Sequence, residues 1–216
     1  MRLFAICVLV LLCAACGQSP EPAPTSSSTG SVEINPARID RVRGLLPDAY
    51  EVAGYIGPPT PTTMWGFGNA AVSEPPQCLA LAAPARDSAT TRGWSASGPG
   101  GIVYAVVARS SQLPPGVAMF AECAQWTLTS VHTVGTVTAQ PGPVVEAAAT
   151  VAMSTTAATV VEGGTETRLR ADTFVAYLVD YVCFVALVTD PGSPSPTLEA
   201  GFAADLLTAA VSALRG

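Results

Sequence analysis

The sequence predicts an α+β domain: an antiparallel sheet with helices packed on one face, opened by an N-terminal helix and closed by a long C-terminal one. Three observations carry this. A capped segment with helical spacing starts at Asn35, Val- and Thr-rich runs separated by Gly/Pro turns fill the middle, and the C-terminal stretch has a broad apolar stripe.

Asn35-Pro36 opens the first helix, since Asn is a preferred N-cap and Pro suits the first turn. Ile39, Val42, Leu45 and Leu46 recur at helical spacing, and Pro47 follows the end. Glu51 to Ile56 reads as a strand, and Gly57-Pro58-Pro59-Thr60-Pro61 as a rigid loop leading to Met64, Trp65 and Phe67. Gln77 to Leu81 forms a short helical turn carrying Cys78, between Pro75-Pro76 and Pro84. Ile102 to Val107 is a β-branched run without alternation, hence a strand buried on both faces, and Gly98-Pro99-Gly100-Gly101 before it is a turn.

Pro114 to Ala124 can form a helix, with Cys123 at its end, and Trp126 to Val137 reads as one long strand. Residues 144–162 hold two Val- and Thr-rich pieces, Glu162-Gly163-Gly164-Thr165 is a hairpin turn, and Thr167–Leu178 and Val182–Thr189 are two further strands. Ser195 is placed to cap a final helix that starts at Pro196 and runs to about Leu214. Phe202, Leu206, Ala209 and Ala213 share one face of it.

Charged residues make up only 12% of the chain, all ten basic residues are Arg, and the formal net charge is -6. That balance argues against nucleic acid as a partner, because phosphate binding needs a positive surface. With so few charges, Thr, Ser, Ala and Gly must cover much of the surface.

The N-terminus reads as an address. Met1-Arg2 precedes the apolar run Leu3–Ala15, which at about 1.5 Å per residue spans roughly 20 Å, too short to cross a bilayer. It has the layout of a secretory signal peptide over residues 1–15. Ala14-Ala15-Cys16 resembles the lipobox of bacterial lipoproteins, which implies acylation of Cys16 and a membrane partner reached through that lipid. Cys13 stands where that pattern prefers Leu, and an ordinary signal peptidase site is the other reading of this run. Residues 16–34 then form a Pro/Ser/Thr-rich tether that, as a coil, spans roughly 20 Å. The remainder, 35–216, is expected to be one sensor-like domain.

In an exported, oxidising setting, Cys78, Cys123 and Cys183 allow one disulfide and one spare thiol. Cys183 lies inside an apolar strand, where cysteine packs as a small hydrophobe, so Cys78 with Cys123 is the expected pair. Catalytic signatures are lacking. His132 is the only histidine, Gly93-Trp94-Ser95-Ala96-Ser97 lacks the second glycine of a nucleophile elbow, and no zinc or calcium spacing occurs. No metal and no cofactor are expected. Glu162, Glu166, Asp172 and Asp180 could supply paired carboxylates, although a solvated face explains them as well. Met64, Trp65, Phe67, Trp94, Tyr104 and Trp126 are candidate walls of an apolar cleft, with core packing as the alternative.

Asn35-Pro36, Arg41-Val42-Arg43-Gly44, Trp65-Gly66, Pro76-Gln77-Cys78, Gly100-Gly101-Ile102-Val103, Cys123-Ala124-Gln125-Trp126, Glu162-Gly163-Gly164-Thr165 and the ending from Phe202 carry a resemblance. From about Asn35 to Gly216 the chain resembles actinobacterial, especially mycobacterial, envelope lipoproteins without established activity. More distantly it is similar to the extracellular sensor domain of PknH-type receptor kinases. That likeness implies an α+β fold with a cleft for an unidentified ligand; the sensor has four cysteines, so at most one of its disulfides carries over. The expected function is a non-enzymatic envelope lipoprotein binding a small molecule, a lipid or a protein. An envelope hydrolase and a protein-binding scaffold without a small-molecule site are the rivals.

Overall fold

The computed structural model describes residues 33–85 and 87–216; the expected signal peptide over 1–15, the expected lipidation of Cys16 and most of the expected tether over 16–34 lie outside the described residues. Nine strands form one sheet: β1 (Glu51–Gly54), β2 (Val72–Glu74), β3 (Arg92–Gly98), β4 (Gly101–Arg109), β5 (Gln125–Thr129), β6 (Thr133–Pro141), β7 (Ala149–Val160), β8 (Glu166–Tyr177) and β9 (Tyr181–Thr189). Their order is β1-β3-β4-β9-β8-β7-β6-β5-β2, and every pairing is antiparallel. Four α-helices are described: α1 (Pro61–Met64), α2 (Leu79–Ala82), α3 (Val117–Glu122) and α4 (Ala200–Arg215). This is an α+β fold.

The expected first helix is a ten-residue 3-10 helix, Pro36–Leu45, whose N-cap Asn35 accepts a hydrogen bond from the Ala37 amide at 3.1 Å. The run expected as one strand from Trp126 to Val137 is instead a hairpin. Ser130 N–H donates to Thr133 O at 2.8 Å, closing a turn that places His132 at its exposed tip. β3 had no counterpart in the sequence reading, because Gly93 and Gly98 weaken its strand signal. The final helix starts at Ala200 rather than Pro196, its N-cap is Glu199 without a side-chain cap, and Ser195 does not cap it.

Residues opposed across antiparallel strands point to the same face. One face collects Val103, Val107, Cys183, Val185, Leu187 and Ala176 beneath α4 and the 3-10 helix. Trp94 is buried there, its indole N–H donating to Ile39 O at 3.1 Å and fixing the 3-10 helix to the sheet. The other face collects Val106, Phe184, Val175, Val151, Val137 and Leu128 beneath Met64, Trp65, Phe67, Cys78 and Leu81. Helical segments therefore cover both faces, where the sequence reading placed them on one. The physical reason is that β4, β9 and the C-terminal end of β8 are apolar on both sides, so a single layer of helices leaves half of that surface wet.

Two glycines are fixed by close approach. Gly101 has φ 124°, and a Cβ there would stand 2.3 Å from Val188 O. At Gly135 a Cβ would lie 2.6 Å from Thr156 O and 2.7 Å from the Phe67 ring, so only glycine lets Phe67 close on the sheet. Cys78 and Cys123 form a disulfide with Cα atoms 5.5 Å apart, tying α2 to the end of α3. Cys183 is a buried free thiol.

Three outcomes follow for stability. Gly135→Ala is expected to lower unfolding free energy by about 1–3 kcal/mol in denaturant titrations, from overpacking. Opening the loop of 45 residues with Cys78→Ala/Cys123→Ala is expected to cost about 4 kcal/mol in the same assay. Burial pushes the Cys183 thiol from 9.0 up to about 12. The unfolded chain thus releases this proton first. Its contribution is full below pH 9 and falls as pH rises towards 12, by about 1.4 kcal/mol per pH unit, and Cys183→Ala should remove that slope.

Candidate functional site

The tryptophans are core. Trp65 and Trp94 are fully buried and Trp126 nearly so; the Trp65 indole N–H donates to the buried Thr173 hydroxyl at 3.0 Å. Met64 and Phe67 pack in the same core, and Tyr104 is half-buried at its margin, edge-on to Tyr55 at 6.0 Å. Burial raises the Tyr104 and Tyr55 hydroxyls above their ordinary range. The structure thus gathers five of the six expected cleft residues on one face and puts Trp94 on the other. They fill the core rather than line a cleft, because these rings are what covers the second face of the sheet.

The sheet's open surface lies elsewhere. α4 and the 3-10 helix cover the β3-β4-β9-β8 half of the first face, and the same face of β7, β6 and β5 lies beyond them. There the register builds a ladder of side chains. Thr138, Ser154 and Asp172 form one rung, Thr136, Thr156 and Arg170 the next, and Val134, Ala158 and Arg168 the third. Two adjoining cavities follow this ladder. One of about 270 Å³ is lined by Thr138, Gln140, Ser154, Asp172, Phe174 and Ala200 at the start of α4. Its neighbour, of about 690 Å³, is lined by Thr127, Val134, Thr136, Thr156, Arg170 and Pro191, among others.

Electrostatically the groove is nearly self-compensated. Ser154 donates its hydroxyl proton to Asp172, Arg170 Nε stands 3.6 Å from the other Asp172 oxygen, and Arg168 Nε pairs with Glu166 at 2.7 Å. Hydroxyls that both donate and accept line its floor, between an apolar strip at Val134 and Ala158 and a charged rim along β8. No imidazole stands beside Ser154, since His132 sits at the β5–β6 turn. Of the four carboxylates, Glu162 and Glu166 are exposed at the β7–β8 turn. Asp172 is six residues further along β8, roughly 20 Å away, and Asp180 lies in the β8–β9 turn at the opposite end. Asp172 and Asp180 are therefore too far from that turn to complete a glycosidase pair with its glutamates.

The sequence reading missed this site. Its signal was the alternation of Thr127, Thr129, Thr136, Thr138, Ser154 and Thr156 with residues facing the other side, the mark of strands covered on one face only.

The model of DUF5642, a domain of unknown function, matches residues 35–215. The chain belongs to this family. The DUF5642 fold is similar to the crystal structure of an uncharacterized Mycobacterium smegmatis protein, the Rv0999 ortholog. The TM-score is 0.60 at 19% identity, covering 85% of this chain and 98% of that one. No curated protein matches the sequence.

Trp65→Phe keeps most of the ring volume but strands the Thr173 hydroxyl. It is expected to lower stability by about 1–3 kcal/mol in thermal or denaturant unfolding, as a core position and not a cleft wall would.

Proposed function

We propose that this DUF5642 chain is an envelope lipoprotein, anchored through Cys16, whose domain binds a ligand in the hydroxyl-lined groove beside α4. The observation that carries the reading is the groove itself: a concave surface on the part of the sheet, across β5 to β7 and the start of β8, that α4 and the 3-10 helix leave open. Small-molecule sites are concave, with an apolar body and a few convergent polar groups, and the Thr/Ser ladder between Val134 and Asp172 has that composition. The anchor is supported by the apolar run ending at Ala14-Ala15-Cys16 and by the disulfide, which suits an exported protein. No helix among the described residues is long and apolar enough to cross a membrane.

The likeness to the PknH-type sensor domain belongs to the same proposal and points to recognition rather than turnover. A serine held by a carboxylate without an imidazole is not activated for acyl transfer, which favours binding over the hydrolase reading.

The test is native mass spectrometry of the mature chain purified from an actinobacterial host, beside an Ala158→Trp variant that fills the groove. A bound species retained by the native protein and lost from the variant, at an unchanged melting temperature, is the expected result. A bare mass for both proteins, or a species that Ala158→Trp leaves in place, would remove the groove from the proposal.

A further inference from the structure

One end of the sheet is built differently from a solvated rim. The β8–β9 turn exposes Val179 at 85%, the β6–β7 loop exposes Val144 at 99%, and the segment leaving β4 exposes Leu113 at 82%. All three connections leave the same end. Tyr181 pairs with Arg109 where β9 begins and β4 finishes, Tyr177 ends β8, and Ala149 opposite it begins β7. The chain enters the fold at this end too. Asn35 N–H donates to Leu214 O at 2.9 Å, and Glu33 to Pro36 share a cavity with Tyr181 and Arg215.

We infer that this end is a membrane-docking surface, seated on the bilayer that the Cys16 lipid enters; the inference rests on the anchor part of the proposed function. Between Cys16 and Glu33 a coil of that composition spans roughly 20 Å, whereas the twelve-residue strands β7 and β8 are roughly 40 Å long. Because that average span is below the length of the domain, the end the chain enters lies, on average, nearer the headgroups than the far end. Single exposed valines are ordinary, and the far end has its own in Val131, Val160 and Val161; the point of chain entry is what assigns the bilayer to one end.

The chemistry of this end suits an interface. Behind the apolar tips, Arg109 lies over the Tyr181 ring at 5.1 Å, and Arg215 donates to the Glu146 and Ala147 carbonyls. Both guanidiniums are held by the protein itself and form a polar margin behind the apolar tips. Arg38, Arg109 and Arg215 are matched there by Glu33, Glu146 and Asp180, so contact comes chiefly from the apolar tips and persists in salt.

The test places a fluorophore on Val144→Cys or Val179→Cys, with Val131→Cys as the control of equal chemistry at the opposite end. In the mature acylated chain Cys78 and Cys123 are bonded and Cys183 is buried, so the new thiol alone reacts. The protein is reconstituted into vesicles of phosphatidylcholine and phosphatidylglycerol in equal parts, carrying nitroxide-labelled lipid. Quenching severalfold stronger at positions 144 and 179 than at 131, in high salt as in low, is expected. Equal quenching at both ends, or none at either while the chain floats with the vesicles, overturns the inference. Intact mass reads the anchor separately. If Cys16 carries no lipid its own thiol would also take the label, so the three variants are then made with Cys16→Ser and added to preformed vesicles, where quenching at 144 and 179 supports docking by itself and its absence overturns it.

Discussion

The constraint on which the rest of the structure depends is the mismatch between the width of the sheet and that of its helical cover. Nine strands at about 4.8 Å spacing make a surface roughly 40 Å wide. A helix is about 10 Å across, so α4 and the 3-10 helix together cover about half of one face. The central strands β4 and β9 and the last residues of β8 lie under that cover and are apolar on both sides; β5, β6 and β7 and the charged first half of β8 lie outside it. The open groove is the remainder of that division.

The second face solves the same problem with irregular chain. Between β1 and β3, α1, α2 and three short 3-10 turns carry Trp65, Phe67 and Leu81 onto the sheet, with β2 on its far edge. Segments this short have little stability of their own. They are held from outside: the Trp65–Thr173 hydrogen bond fixes the first part, the Cys78–Cys123 disulfide the second, and the absence of a side chain at Gly135 leaves room for Phe67. These devices explain why the aromatic residues so prominent in the sequence are not available to a ligand.

A domain arranged this way separates its two surfaces. The groove lies on the face of the sheet, between β5 and β8, while the chain enters at the end where Leu113, Val144 and Val179 project. The docking inferred above would leave the groove, on the side of the sheet, open to solvent. On these two proposals, recognition and attachment use different residues.

Much was legible in the sequence because it was local. The Asn35 cap, the glycine turns at Pro99-Gly100 and Gly163-Gly164, the two-sided burial of β4 and the stripe of α4 are set by residues within a few positions of each other. The Cys78–Cys123 pair also followed from elimination among three cysteines. What needed the tertiary structure was lateral order. Strand β3 is a weak strand by itself and is held between β1 and β4; the run from Trp126 breaks at Ser130 because β6 has to return beside β5. The Thr ladder becomes a groove only because β5, β6 and β7 fall beyond the edge of α4. Periodicity states that a strand has one wet face; which strands the helix leaves wet is decided by the order in which they pair.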